Sequence, residues 1–170
     1  LGWAEHQKDT QHQAKAMINL GVVYLQRGLV DKALTQFENV RRHCSQEGDV
    51  PHLAVALENL AVLHYRQRSF KEALFYYHRW AATSRRLGRL IQFCTTILNL
   101  GDLYLTVGDL DKSTRLSDIA RSYIARNRYP FLEPQLLTLE GDIARFAGDY
   151  ETALSHYQSA EKLIRTGSMS

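Results

Sequence analysis

Little in this chain of 170 residues would break or staple a fold. Three prolines and ten glycines are too few for a disordered or collagen-like polypeptide. Two cysteines, Cys44 and Cys94, without a CxxC spacing, supply neither a disulfide framework nor a zinc site, and lean towards the cytoplasm. The seven histidines show no HxxxH or HExxH spacing. No apolar run approaches the roughly 18 residues of a membrane helix, and no hydrophobic leader opens the chain. GxGxxG, GxxxxGK[ST] and GxSxG are all missing, so no phosphate loop or nucleophile elbow is in view. The expectation is a protein that is not an enzyme, with no catalytic residue, no metal and no cofactor.

Neither sign of charge dominates, the net charge being +3. The middle of the chain is basic, with six Lys/Arg against three Asp/Glu from Asp49 to Gly88. The end is acidic, with three against six from Tyr129 to Ser170. Such a gradient can orient a partner but is too interrupted for a nucleic-acid stripe.

What the chain does have is repetition. Asn19-Leu20-Gly21-x-x-Tyr24 returns as Asn59-Leu60-Ala61-x-x-His64, Asn99-Leu100-Gly101-x-x-Tyr104 and Leu139-Glu140-Gly141-x-x-Ala144, at a period of 40 without a gap. Twelve residues beyond each small residue stand Ala33, Ala73, Ser113 and Ala153. Sixteen beyond stand Phe37, Tyr77, Ser117 and Tyr157, and nineteen beyond Val40, Trp80, Ala120 and Ala160. The apolar spacing is helical: Met17, Leu20, Gly21 and Tyr24 form one inward stripe, and Ala33, Leu34, Phe37 and Val40 another. Each repeat therefore predicts two packed helices whose close approach is set by the small residue.

The expected helices run over Asp9–Arg27 and Asp31–Gln46, then Pro51–Arg68 and Phe70–Leu87. They continue over Leu90–Val107 and Leu110–Asn127, then Phe131–Ala147 and Tyr150–Arg165. Gly28, Gly108 and Gly148 suit left-handed turns, with Ser69, Asp109 and Asp149 as N-caps. Pro51 suits a first helical turn. No linker appears, so residues 1–170 read as one repeat domain, with repeats at about 9–48, 49–88, 89–128 and 129–166. In the internal register Cys44 aligns with Ser84, Ile124 and Ile164, and Cys94 with Ala14, Ala54 and Pro134. Both are expected to be core residues rather than reactive thiols, and His64 to be a core filler.

Leu-Gly-x-x-Tyr followed by Ala-x-x-x-Phe resembles the tetratricopeptide repeat, whose commoner period is about 34 residues. The resemblance runs from about Asp9 to Arg165. The longer period is similar to that of kinesin light chains, the Leu-Gly-Asn cell-polarity scaffolds and some bacterial peptide-sensing regulators. It implies an all-α, right-handed α-solenoid and a protein-binding role, with the first helices lining a concave face. The third repeat departs from the pattern at Ser113 and Ser117, and the fourth at Leu139, Glu140 and Ala144.

Opposite the inward stripe, the first repeat offers Lys15, Asn19, Val22 and Gln26, flanked by Ile18 and Leu25. The second offers Val55, Glu58, Asn59, Val62, Tyr65 and Arg66. The third offers Thr95, Leu98, Asn99, Asp102, Leu105 and Thr106, and the fourth Gln135, Thr138, Leu139, Asp142, Arg145 and Phe146. Asn19, Asn59 and Asn99 share one repeat position, and an amide can pair with both the N–H and the C=O of an extended backbone. The resemblance implies that these asparagines clamp a peptide; the alternative is that each bonds a neighbouring helix or loop. A regulatory arm of a larger signalling or transcription-regulatory protein, contacting a neighbouring domain, would use the same face. The partner is expected to be a protein or peptide, without nucleic acid or membrane.

Chain ends supply a last expectation. The final helix carries Ala153, Leu154, Tyr157, Ala160 and Ile164 with only Thr166 to Ser170 after it, and Leu1-Gly2-Trp3 stand before the first. The expectation is a fragment of a longer solenoid whose bare ends associate end to end.

Overall fold

In the computed structural model, residues 2–167 are described, with side chains from 8 to 167. These residues form eight α-helices, and no strand occurs among them. They are α1 (Gly2–Gln26), α2 (Val30–Glu47), α3 (Val50–Arg66), α4 (Phe70–Arg86), α5 (Leu90–Thr106), α6 (Leu110–Asn127), α7 (Glu133–Phe146) and α8 (Tyr150–Gly167). The main difference from expectation is α1, which begins at Gly2 rather than Asp9, because Ala4, Glu5, Gln7 and Lys8 are good helix formers. The other is a 3₁₀ turn, Pro130–Leu132, which precedes α7 where a continuous helix is expected.

Left-handed residues recur every 20 positions: Gly28, Gly48, Arg68, Gly88, Gly108, Arg128 and Gly148. Each repeat of 40 is therefore two half-units of one helix and one turn. Glycine suits these positions, whereas Arg68 and Arg128 accept strain of about 1–2 kcal/mol each. Asp109 and Asp149 cap the next helix, accepting from the backbone N–H of Lys112 and Thr152, each at 3.1 Å. Ser69 stands at an N-cap position but makes no side-chain capping bond. Asp49 caps α3 instead, accepting from the His52 N–H at 3.3 Å and facing its Nδ1 at 2.6 Å.

The chain divides into two compact units, Leu1–Gly88 and Arg89–Ser170, each of two repeats. In the first unit α1 packs on α2, α3 on α4, and α2 on α3. Its core holds Ala33, Phe37, Val40, Cys44, Leu57, Leu60, Ala61, Ala73, Tyr77 and Trp80, each less than 4% exposed. A Cβ on Gly21 would stand 2.8 Å from Phe37 Cζ, so the ring of α2 lies directly on the backbone of α1. His64 takes the motif tyrosine's place and stacks on Tyr76 at 5.3 Å. The Tyr76 hydroxyl donates to Glu38 at 2.7 Å; burial, then that contact, pushes its pKa up to about 12. Leu20, expected inside, is 42% exposed, while its equivalent Leu60 on α3 is fully buried. The α3 face carrying Leu60 meets α2, and among the described residues of the unit no second helix precedes α1 in that way.

In the second unit α5 packs on α6, α7 on α8, α6 on α7, and α5 on α7. Gly141 repeats the Gly21 arrangement, a built Cβ standing 2.5 Å from Tyr157 Cε1. Gly101 does not. The side chain over it is Leu139 of α7, 2.7 Å from a built Cβ, and not a residue of its own partner helix α6. Ser117 stands where an aromatic ring would lie and is too short to reach, so the space is filled from the next repeat. The Ser117 hydroxyl instead donates to Glu140 at 3.1 Å. Glu140 is only 7% exposed and is also met by Arg121 at 2.5 Å and His156 at 3.7 Å. The departures of the third and fourth repeats are thus one compensated junction: Leu139 supplies bulk, and Glu140 gives the small polar Ser117 a partner.

Filling the space at Gly141 tests this packing. Gly141→Leu is expected to destabilise the chain by about 1–3 kcal/mol through overpacking against the Tyr157 ring, more than the gain of up to about 1 kcal/mol from helix propensity. Urea unfolding measures the change, and an unmoved midpoint would show that the α7–α8 contact is misassigned.

Candidate functional site

First helices carry the candidate residues, and each unit presents its own set. On α1, Lys15, Asn19, Val22 and Gln26 are exposed, with Val22 at 36%. On α3, Asn59, Val62 and Tyr65 are half-buried and Arg66 is exposed. The Tyr65 ring lies 6.2 Å from Phe70. Asn59 turns its amide back on its own helix, Nδ2 donating to the Val55 carbonyl at 2.8 Å. One N–H and the side-chain carbonyl remain for a ligand. Beside it Glu58 is half-buried, and burial pushes its carboxyl above the usual range.

The second unit gathers its candidates round a pocket between α5 and α7. Leu98, Asn99, Asp102, Gln135, Thr138, Leu139 and Asp142 line a volume of about 260 Å³. Leu98 and Leu139 are 1% and 4% exposed and make its apolar floor. Asn99, Asp102 and Asp142 are half-buried, and Gln135 and Thr138 are open to solvent. Gln135 Nε2 donates to Asn99 Oδ1 at 3.0 Å, so the Asn99 amide is oriented with both of its N–H groups unused by that bond. Asp142 is held by the hydroxyl of Tyr157 at 2.8 Å and by Arg145 at 3.2 Å. Tyr157 thus does two jobs: its ring packs on Gly141 and its hydroxyl fixes the carboxylate next door.

Three expectations change here. Leu105 is 7% exposed, so it is a packing residue rather than free contact surface, and Leu98, 1% exposed, meets the groove only as floor of the pocket, because α5 is apolar on more than one side. Two of the three asparagines have partners within the fold, one on its own helix and one on the neighbouring first helix. Gln135 and Tyr157 position Asn99 and Asp142, a role that spacing alone does not assign. Cys44 and Cys94 are both buried, and burial raises both thiols, Cys44 to about 12. Among the described residues no three His, Cys, Asp or Glu side chains gather as a metal would require. No helix among them is long and apolar enough to cross a membrane.

Comparison with known proteins places this arrangement. Residues 12–90 match the family model of the tetratricopeptide repeat. No curated protein sequence matches the chain. Among solved structures, BtubC (BKLC) from P. vanneervenii is similar over 94% of this chain and 66% of its own, with a TM-score of 0.81 and 22% identity. Aspartyl phosphate phosphatase F from Bacillus subtilis is similar over 92% of this chain and 41% of its own, with a TM-score of 0.79 and 10% identity. MamA is similar over 99% and 88%, with a TM-score of 0.67 and 15% identity. This chain therefore spans less than two thirds of the first two. The family match covers residues 12–90, the first two repeats, and the solved structures share the helical fold in which one helix pair recurs through all four.

Proposed function

We propose that the chain is a protein-binding module whose first-helix faces hold an extended peptide. The observation that carries this reading is the α5–α7 pocket, where Asn99, Asp102 and Asp142 meet Gln135 and Thr138 over a leucine floor. A concave site with an apolar base and a few oriented polar groups is the usual form of a binding pocket. The Asn99 N–H groups suit the carbonyl of a strand-like backbone; Asn19 and Asn59 offer the same amide in the first unit. Lys15, Val22, Gln26, Val62, Tyr65, Arg66 and Arg145 would add side-chain contacts. The module acts in the cytoplasm by binding alone, without catalysis, cofactor, nucleic acid or membrane.

Peptides selected from a random display library on the whole chain supply the ligand for a test. Changing Asn19, Asn59 and Asn99 together to Ala should leave helicity intact and weaken the selected peptide by at least about ten-fold, since each lost bond contributes roughly 0.5–1.5 kcal/mol. Unchanged affinity for a peptide cross-linked to α5 or α7 would refute the clamp.

A second surface follows from the repeat register. Ile164 on α8 is 59% exposed, whereas Cys44 and Ile124 at the same position of α2 and α6 are at most 2% exposed. Leu20 and Val23 on α1 are 42% and 41% exposed, against 0% and 4% for Leu60 and Leu63 on α3. On α8, Ala153 and Ala160 are covered, so Tyr150, Leu154 and Ile164 make up the bare face. The α1 face of one copy and the α8 face of another are complementary halves of such a junction, and on this reading they associate end to end. The Trp3 side chain, also expected to take part, lies outside the described residues. Light scattering over a concentration series should show mass growing with concentration and Ile164→Glu abolishing the growth. A wild-type mass that stays monomeric throughout would rule the contact out.

A further inference from the structure

Glu58 on α3 carries a charge that the repeat register does not explain. Its equivalents are Ile18 on α1, Leu98 on α5 and Thr138 on α7, so the fold accepts an uncharged residue here in every other repeat. Glu58 is half-buried, and so are Val55, Asn59 and Val62 on the same face of its helix. The neighbouring first helix α1 lies against α3 and brings Ile18, half-buried, and Val22, 36% exposed, to that face. The carboxylate thus stands in mostly apolar surface. Among the described residues it meets no hydrogen-bond donor and no ion-pair partner. Burial raises its carboxyl, and no hydrogen bond or cation offsets that. Lys15 and Arg66 share the groove face of this unit, but both are exposed and neither pairs with Glu58. Arg66 lies two turns further along α3, about 12 Å by helical rise.

A partly desolvated carboxylate without a donor costs free energy that leucine or isoleucine at the same position does not. A ligand that supplies the donor recovers that cost. An acidic ligand would be repelled, and an apolar one would bury Glu58 further with nothing to pair it. A neutral N–H would bond the carboxylate but leave its charge unmatched. A long cationic side chain meets all the requirements, because its head bears only donors while its methylenes cover apolar surface. Arginine fits better than lysine: its guanidinium is more weakly hydrated than an ammonium, and its planar fork can bond both carboxylate oxygens. We propose that Glu58 receives the arginine side chain of a bound peptide, its guanidinium on the carboxylate and its stem along Val55 and Val62. The proposal rests on the reading that the first-helix faces bind peptide, and names a side chain that the first unit selects. Asn59 beside it keeps one N–H and its carbonyl for the backbone of the same peptide.

Capped single residues test this on the whole chain: N-acetyl-arginine methylamide, its neutral isostere N-acetyl-citrulline methylamide, and N-acetyl-norleucine methylamide. Titration of each into isotopically labelled protein is followed by amide chemical shifts. The expected result is saturable shifts at residues 55–62 with the arginine probe, at least about ten-fold weaker with citrulline and with Glu58→Gln. Glu58→Gln should also leave the urea midpoint unchanged or higher, since the fold does not use the charge. A lower midpoint would show that the carboxylate has a partner within the protein, and would overturn the inference. Equal shifts from all three probes would overturn the charge selection and leave the peptide-binding reading standing. Shifts from none of the three, while a display-selected peptide still moves residues 55–62, would overturn the inference alone; no shift from that peptide either would overturn both for this unit.

Discussion

Close approach of two helices at a residue with little or no side chain is the constraint on which this structure depends. At Gly21 and Gly141 an aromatic ring from the following helix rests on bare backbone, and a single added carbon would stand within 3 Å of that ring. The tip or edge of the ring then reaches the bare backbone, and burial contributes about 1.5–3 kcal/mol for a side chain as fully covered as Phe37. Everything else in the repeat is spaced from this contact. Turn residues fall 20 positions apart because each helix must end where the next can return along it.

The third repeat shows what happens when the ring is missing. Ser117 cannot cover Gly101, and Leu139 reaches across from α7 to do so. That substitution changes the surface as well as the core. In the first three repeats this position carries an asparagine; in the fourth a leucine fills it, and its other side becomes floor to the pocket that holds Asn99 and Asp102. The hydroxyl of Ser117 would be costly to bury alone, and Glu140 answers it while drawing in Arg121 from the surface. A packing defect in one repeat and the pocket between two first helices thus share a cause. Tyr157 links them again, holding Gly141 with its ring and Asp142 with its hydroxyl.

Much of this is legible in the residues themselves. A period of 40 and helical apolar spacing give the eight helices and most of their ends, and the Asp109 and Asp149 caps follow from residue type and place. What periodicity cannot supply is the identity of a neighbour. Leu20 and Leu60 occupy the same angular position on their helices, yet one faces solvent and the other a packed helix. Spacing assigns Leu105 to the groove surface because it lies opposite the inward stripe of its own pair; α5 is covered on that side too. The asparagines share one repeat position but not one set of partners, since Asn59 finds a carbonyl one turn back and Asn99 finds Gln135 on another helix. Ser69 stands where a cap belongs but makes no such bond. In each case the sequence specifies a direction, and the contact depends on what lies there.

Coupling between Ser117 and Leu139 is the most direct measure of whether the exchange of bulk between repeats is real. A double-mutant cycle would combine Ser117→Phe, which restores the ring, with Leu139→Asn, which restores the residue found in the other repeats. If Leu139 occupies the space the ring would need, each single change should destabilise the chain, one by overpacking and one by opening a void. The pair together should then recover stability, with an interaction energy of about 1–3 kcal/mol. Strictly additive losses would mean that the two side chains do not compete for the space over Gly101, and that no bulk is exchanged between the third and fourth repeats.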